Sequence, residues 1–126
     1  MELRDEIREK ADGLFHQLVE WRRYLHSNPE LSFEEYSTME YISSVLSDLG
    51  VEHEKGVART GIVATIKGRN AESKLIALRS DHDALPIQEL NDVDYASKND
   101  GVMHACGHDV HTTSLLGAAS ILNQTK

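Results

Sequence analysis

Gly61-Ile62-Val63-Ala64-Thr65-Ile66-Lys67-Gly68, followed by Lys74-Leu75-Ile76-Ala77-Leu78-Arg79, decides the fold class. The first run is β-rich and bounded by glycines. The second is short and apolar without alternation, as expected of a strand covered on both faces. Arg69 to Ser73 between them is a polar turn, and Val51 to Glu54 predicts a further short strand just upstream. A strand covered on both faces needs helices over it, and the flanking sequence predicts them.

Upstream, Leu3, Ile7, Ala11, Leu14, Leu18, Trp21 and Leu25 recur at helical spacing, with Phe15 and Val19 widening the stripe. The pattern predicts one helix over 2–26, ended by Asn28-Pro29. A coiled coil is the other reading of such a stripe, but the sequence after Pro29 is that of a globular domain. Ser32-Phe33-Glu34-Glu35 has the form of a capping box, with Leu31 and Tyr36 placed as a hydrophobic staple. The helix it opens presents Tyr36, Met39, Ile42, Val45, Leu46 and Leu49, and Gly50 suits its left-handed cap. Downstream, residues 88–103 read as a loop. A last helix runs from about His111 to Asn123, with Leu115, Leu116, Ala119 and Leu122 on its apolar side. The order predicts an α/β fold, a layered sheet with flanking helices. Nothing after Leu122 returns the chain to the sheet, so residues 1–126 are expected to be part of a larger domain.

Length and composition set the outer bounds. The chain has 126 residues, 40% apolar and 27% charged, which is the size and mix of one soluble domain. Thirteen basic against twenty-one acidic residues give a net charge of −8. This argues against nucleic acid or an anionic membrane as partner, since both need a basic footprint. The single cysteine, Cys106, excludes an internal disulfide and suits a reducing cytosol, so a cytoplasmic location is expected. The first ten residues are mostly charged and no apolar run follows them, so neither a signal-peptide core nor a membrane span is read.

Chemistry concentrates in three places. Met103-His104-Ala105-Cys106-Gly107-His108-Asp109-Val110-His111-Thr112 packs thiolate, imidazole and carboxylate groups together. These are the ligand types of a divalent transition metal, and Gly107 lets the backbone bend so that Cys106 and His108 could face one ion. Packing alone explains a lone buried cysteine or histidine, but not this density. Arg79-Ser80-Asp81-His82-Asp83-Ala84-Leu85-Pro86 directly follows the apolar run, where α/β sheets gather ligand groups. Asp81 and Asp83 could share one direction there and bridge metals, orient a histidine or tune a base; alternatively they cap a polar turn. In the third patch, Trp21 to Leu31, Arg22 and Arg23 are expected on the solvated face of the first helix. His26 is expected to serve that helix's C-terminal end.

Together these residues resemble the metal-dependent amidohydrolases of the aminoacylase, hippurate hydrolase, auxin–amino-acid hydrolase and N-acetyldiaminopimelate deacetylase group. The matching stretches are Arg23 to His26 with Pro29-Glu30-Leu31, then Thr60-Gly61, Arg79 to Pro86, and Met103 to Thr112 with Leu115 to Ala119. The resemblance implies the N-terminal portion of a zinc-peptidase-like catalytic domain. It implies that Cys106 and His108 are metal ligands, that Asp81 is an active-site carboxylate and that Asp83 is its close support. The complete site would hold two divalent metals (zinc, manganese or cobalt) and hydrolyse the amide bond of a small N-acyl amino acid, with a glutamate relaying the proton. That glutamate, the remaining ligands and a dimerisation domain would lie downstream of Lys126, and the complete enzyme would be a homo-oligomer. Ser80 and His82 stand where the family has small and apolar residues. The competing readings are a non-catalytic fragment or small metal-binding module, and a redox or regulatory protein resting on Cys106. The reading frame beyond Lys126 discriminates the first, and metal analysis with a thiol-reactivity assay the second.

Overall fold

The periodic N-terminal stretch folds as two helices, α1 (Leu3–Gly13) and α2 (Phe15–Ser27), in the computed structural model, which describes residues 1–126. The single helix expected over 2–26 is therefore corrected. The break falls at Leu14, whose N–H is shared between the carbonyls of Lys10 and Ala11, a tightening of the turn that Gly13 makes easy. The break also divides the apolar stripe. Nothing in α1 is buried, whereas Trp21 and Leu25 of α2 enter the core.

The second helix, α3 (Tyr36–Asp48), starts later than a capping box at Ser32 would place it. The Glu30 carboxylate accepts the N–H groups of Ser37 (3.3 Å) and Thr38 (2.6 Å) and the Thr38 hydroxyl (2.7 Å). Glu30 thus meets free donors at the shifted start of α3, in place of a cap at Ser32. Ser32 instead donates to Asp83, and Glu35 takes the Phe33 N–H and the Thr60 hydroxyl. The staple is absent too: Tyr36 is exposed, and Leu31 forms a parallel bridge with Ala84. Gly50 closes α3 with φ +71°, as its position predicts.

β1 (Glu52–Val57) and β2 (Gly61–Thr65) form an antiparallel hairpin with Glu52 opposite Thr65 and Val57 opposite Gly61. A bulge at Gly56 and left-handed residues at Ala58 and Arg59 turn the chain. Gly61 is obligatory, since a Cβ there would lie 2.5 Å from the Val57 carbonyl oxygen.

The strand expected at 74–79 does not form. Leu75 is 93% exposed and Ile76 76%, and the sheet is two-stranded. An apolar run becomes a buried strand only when neighbours meet its backbone groups, and β1 and β2 pair with each other.

The core joins Trp21 and Leu25 of α2, Ile42, Val45 and Leu46 of α3, Val51, and Leu116 of the last helix, α4 (His108–Thr125). Ile62 of β2 packs against this cluster, so helices and hairpin form the layered α/β arrangement. Gly117 brings α4 close to α2: a Cβ there would meet Leu18 Cδ2 at 2.9 Å. No helix is long and apolar enough to cross a membrane.

Candidate metal centre

α4 begins three residues before the sequence-based expectation because Gly107, at φ +100°, reverses the chain into it. This extra turn makes His108 helical. His108 and His111 then stand three residues apart and share one face.

The segment carrying Asp81 and Asp83 reaches that face without being a strand end. The Ala84 N–H bonds to the Glu30 carbonyl (2.8 Å), Leu85 pairs with Met103 in an antiparallel bridge, and the Thr112 hydroxyl donates to the Asp81 carbonyl (2.8 Å). Three short links therefore fix residues 81–85 between the start of α3 and the start of α4.

Donor atoms of Asp81, His108 and His111 all lie within 4.8 Å of one another. Asp81 Oδ1 is 3.1 Å from His111 Nδ1, and Asp81 Oδ2 is 3.3 Å from His108 Nε2. His108 Nδ1 faces two acceptors of Asp83, its carboxylate at 2.7 Å and its carbonyl at 3.0 Å. That nitrogen must carry a proton, which in a neutral ring leaves the Nε2 lone pair facing the Asp81 carboxylate. Two acceptors 3.3 Å apart need positive charge between them, either a second ring proton or a cation. The His111 hydrogen bond holds the Asp81 carboxyl below the usual range, against the effect of burial. Burial pushes Asp83 up, but bonds from Ser32 and His108 outweigh it and keep that carboxyl low as well. Imidazole and carboxylate donors, with a carboxylate behind the second ring nitrogen, fit a divalent transition metal.

The sequence-based candidates divide. Asp81, Asp83 and His108 come together, joined by His111, which sequence reasoning left among the cluster without a role. Cys106 is exposed, and its thiol is outside the group of three. His82 turns toward Glu35, 3.6 Å away, and away from this group.

Sequence reasoning also missed a buried network behind the start of α4. Asp109, 2% exposed, accepts from Arg22 Nε (3.0 Å) and meets His26 Nδ1 (2.8 Å). His26 Nε2 faces both Glu89 oxygens at 3.0 and 3.1 Å. Arg22 and His26, expected on a solvated face and at a helix end, are therefore partners of buried carboxylates. No local pattern could have shown this, because the partners lie 63 to 87 residues apart. Beside them, in a cavity of about 410 Å³, His104 is 4% exposed with neither ring nitrogen hydrogen-bonded, and burial pushes it down to about 4.

A mixed α/β scaffold thus brings carboxylate and imidazole donors to one point, a set that fits a divalent metal. Residues 77–126 match the model of peptidase family M20/M25/M40. It is 44% identical over 127 residues to thermostable carboxypeptidase 2 of Saccharolobus solfataricus, covering 100% of this chain and 32% of that one. It is 42% identical over 123 residues to the N-acyl-L-amino acid amidohydrolase of Geobacillus stearothermophilus, covering 98% and 33%. Its fold matches the crystal structure of a Bacillus subtilis dinuclear metal-binding peptidase of family M20, with a TM-score of 0.85 and 46% identity over 90% of this chain and 32% of that one. The chain thus spans about a third of the length of these relatives.

Proposed function

We propose that this chain supplies part of a divalent-metal site for hydrolysing the amide bond of small N-acyl amino acids. The observation that carries the reading is the meeting of His108 Nε2 with the Asp81 carboxylate, while Asp83 holds the other ring nitrogen. The similarity to an N-acyl-L-amino acid amidohydrolase supports it. A carboxypeptidase relative supports the same bond, because the last residue of a peptide is itself an N-acyl amino acid with a free carboxylate.

Asp81, His108 and His111 would hold one metal. Cys106, two residues before His108, would be a further ligand, and a complete site would hold two ions of zinc, manganese or cobalt. When bound, the metal supplies Lewis-acid polarisation of the scissile carbonyl. Asp83 fixes the His108 tautomer, and Asp81 keeps a negative charge at the site because its carboxyl is held low. His111 is the exposed member of the group. A reducing cytoplasm would keep the Cys106 thiol reduced, and the whole protein would act as a homo-oligomer on small substrates, without nucleic acid or membrane.

The test combines metal content with hydrolysis of N-acetyl and N-benzoyl amino acids by the whole protein. Cys106→Ser and His108→Ala should each lower metal content and turnover about tenfold or more. Asp81→Asn should remove turnover while costing no more than about 1 kcal/mol of stability, a turn cap's worth. Wild-type metal occupancy in the Cys106 and His108 variants would sink the assignment.

A further inference from the structure

We infer that Arg22, His26 and Glu89 are positioning residues for the metal face of α4, acting through Asp109. The inference rests on the metal reading above and adds residues to it that touch neither metal nor substrate.

Asp109 follows His108 in the first turn of α4. One step along a helix is a rotation of about 100°, so Asp109 faces away from Asp81 when His108 faces it. Its carboxylate is gripped from three sides: Oδ2 by Arg22 and His26, Oδ1 by the Val110 N–H at 3.0 Å. His26 is fixed in turn by Glu89, which the Ser97 N–H (2.7 Å) and the Asn91 amide (3.1 Å) hold in place. The far end of the strut is therefore backbone of the 89–97 loop, and that loop is tied to α2 by the Ser27 hydroxyl on the Tyr95 carbonyl and the Lys98 N–H on the Ser27 carbonyl. Arg22 also lies over the Tyr95 ring, 5.3 Å from its centroid.

The pattern of donors makes the strut directional. Both ring nitrogens of His26 face carboxylate oxygens, and an ionised carboxylate only accepts. The ring is therefore held between Asp109 and Glu89, and with Arg22 these groups close into one buried polar set. Such a set adds little stability over well-packed apolar side chains of the same volume. What it supplies is a single orientation, since each bond has a required direction and an apolar contact has none. Asp81 is positioned separately, by the links from Glu30, Met103 and Thr112. The distance from Asp81 to His108 and His111 therefore depends on how the first turn of α4 is rotated, and the strut sets that rotation.

The experiment is a cobalt(II) titration of the whole protein, read by visible d–d absorption and by bound metal, beside thermal unfolding without metal. Glu89→Gln keeps the shape and loosens one bond. The double change His26→Leu with Glu89→Leu replaces the charges by apolar groups and keeps the packing. Both should fold, Glu89→Gln with a lowered melting temperature and the double variant with one near wild type; both should bind cobalt about 10- to 100-fold more weakly and shift the d–d bands. Wild-type affinity and spectrum in either folded variant would overturn the positioning role. A wild-type spectrum indifferent to His108→Ala would overturn the metal reading instead.

Discussion

At the scale of single residues, the decisive group is Asp83. It touches His108 twice, through its carboxylate and its own carbonyl, and Ser32 holds its second oxygen at 2.5 Å. Removing it frees the imidazole to rotate and to exchange tautomers. Asp83→Ala should weaken metal affinity about 10- to 100-fold while leaving every donor of the group of three in place. Competition with a chelator of known affinity measures this, and an unchanged affinity would show that Asp83 is only a turn cap. Glu89 carries the residue-scale prediction for pH. Burial raises its carboxyl, but hydrogen bonds from His26, Ser97 and Asn91 outweigh burial and hold it below its ordinary 4.5. A depressed carboxyl contributes stability that is complete above the unfolded value and lost as pH falls through the folded one. Stability should therefore decline below about pH 4.5, and Glu89→Gln should flatten that decline. Melting temperatures taken from pH 7 to pH 3 decide it; parallel curves for the two proteins would remove Glu89 from the acid response.

At the scale of elements, the hairpin stores identifiable strain. Ala58 and Arg59 both sit at positive φ, +50° and +78°, where a Cβ crowds the backbone. Asn tolerates this conformation and does not loosen the unfolded chain as Gly would. Ala58→Asn should stabilise the chain by about 0.5–1 kcal/mol, of the order of a relieved left-handed residue. Arg59 is the poorer choice, since its guanidinium lies 5.9 Å from the Phe33 ring centroid. A lower denaturant midpoint for Ala58→Asn at unchanged slope would contradict the strain argument. At the same scale, α1 buries no residue although its stripe is regular. Periodicity states which face could be buried; whether it is buried depends on what packs against it.

At the scale of the whole molecule, the site is assembled from α2, the 81–85 segment, the 89–97 loop and α4, but its grouped donors number only three. A divalent transition metal takes about four ligands, counting water, and the proposed reaction uses two metals. These 126 residues alone should therefore bind metal without turning over N-acyl amino acids at the usual enzymatic rate of about 1 per second or faster. Loading the chain with zinc, manganese or cobalt and assaying acetyl and benzoyl substrates tests this. Turnover in that range would show that three grouped donors suffice.

Sequence by itself determined the local matters. Helical spacing marked Trp21, Leu25, Ile42, Val45, Leu46 and Leu116 for the core, and Gly50 marked the end of α3. The density of metal-ligand residue types marked Cys106 and His108, of which only His108 joins the group of three, and the motif that continues from Arg79 marked Asp81 and Asp83. All of these depend on residues within a few positions of one another, which is the range over which periodicity and turn chemistry act. Tertiary structure alone decided the rest. Glu30 caps α3 where Ser32 was expected to, because the helix starts only at Tyr36 and the returning carboxylate reaches the Ser37 and Thr38 N–H groups there. Residues 74–79 read as a buried strand but stand exposed, because a strand requires partners that its own sequence does not contain. Arg22, His26, Glu89 and Asp109 found one another only when α2, the loop and α4 packed together. A buried charge is tolerated where an opposite charge and hydrogen bonds meet it, and which groups meet is decided by the packing of elements far apart in the chain.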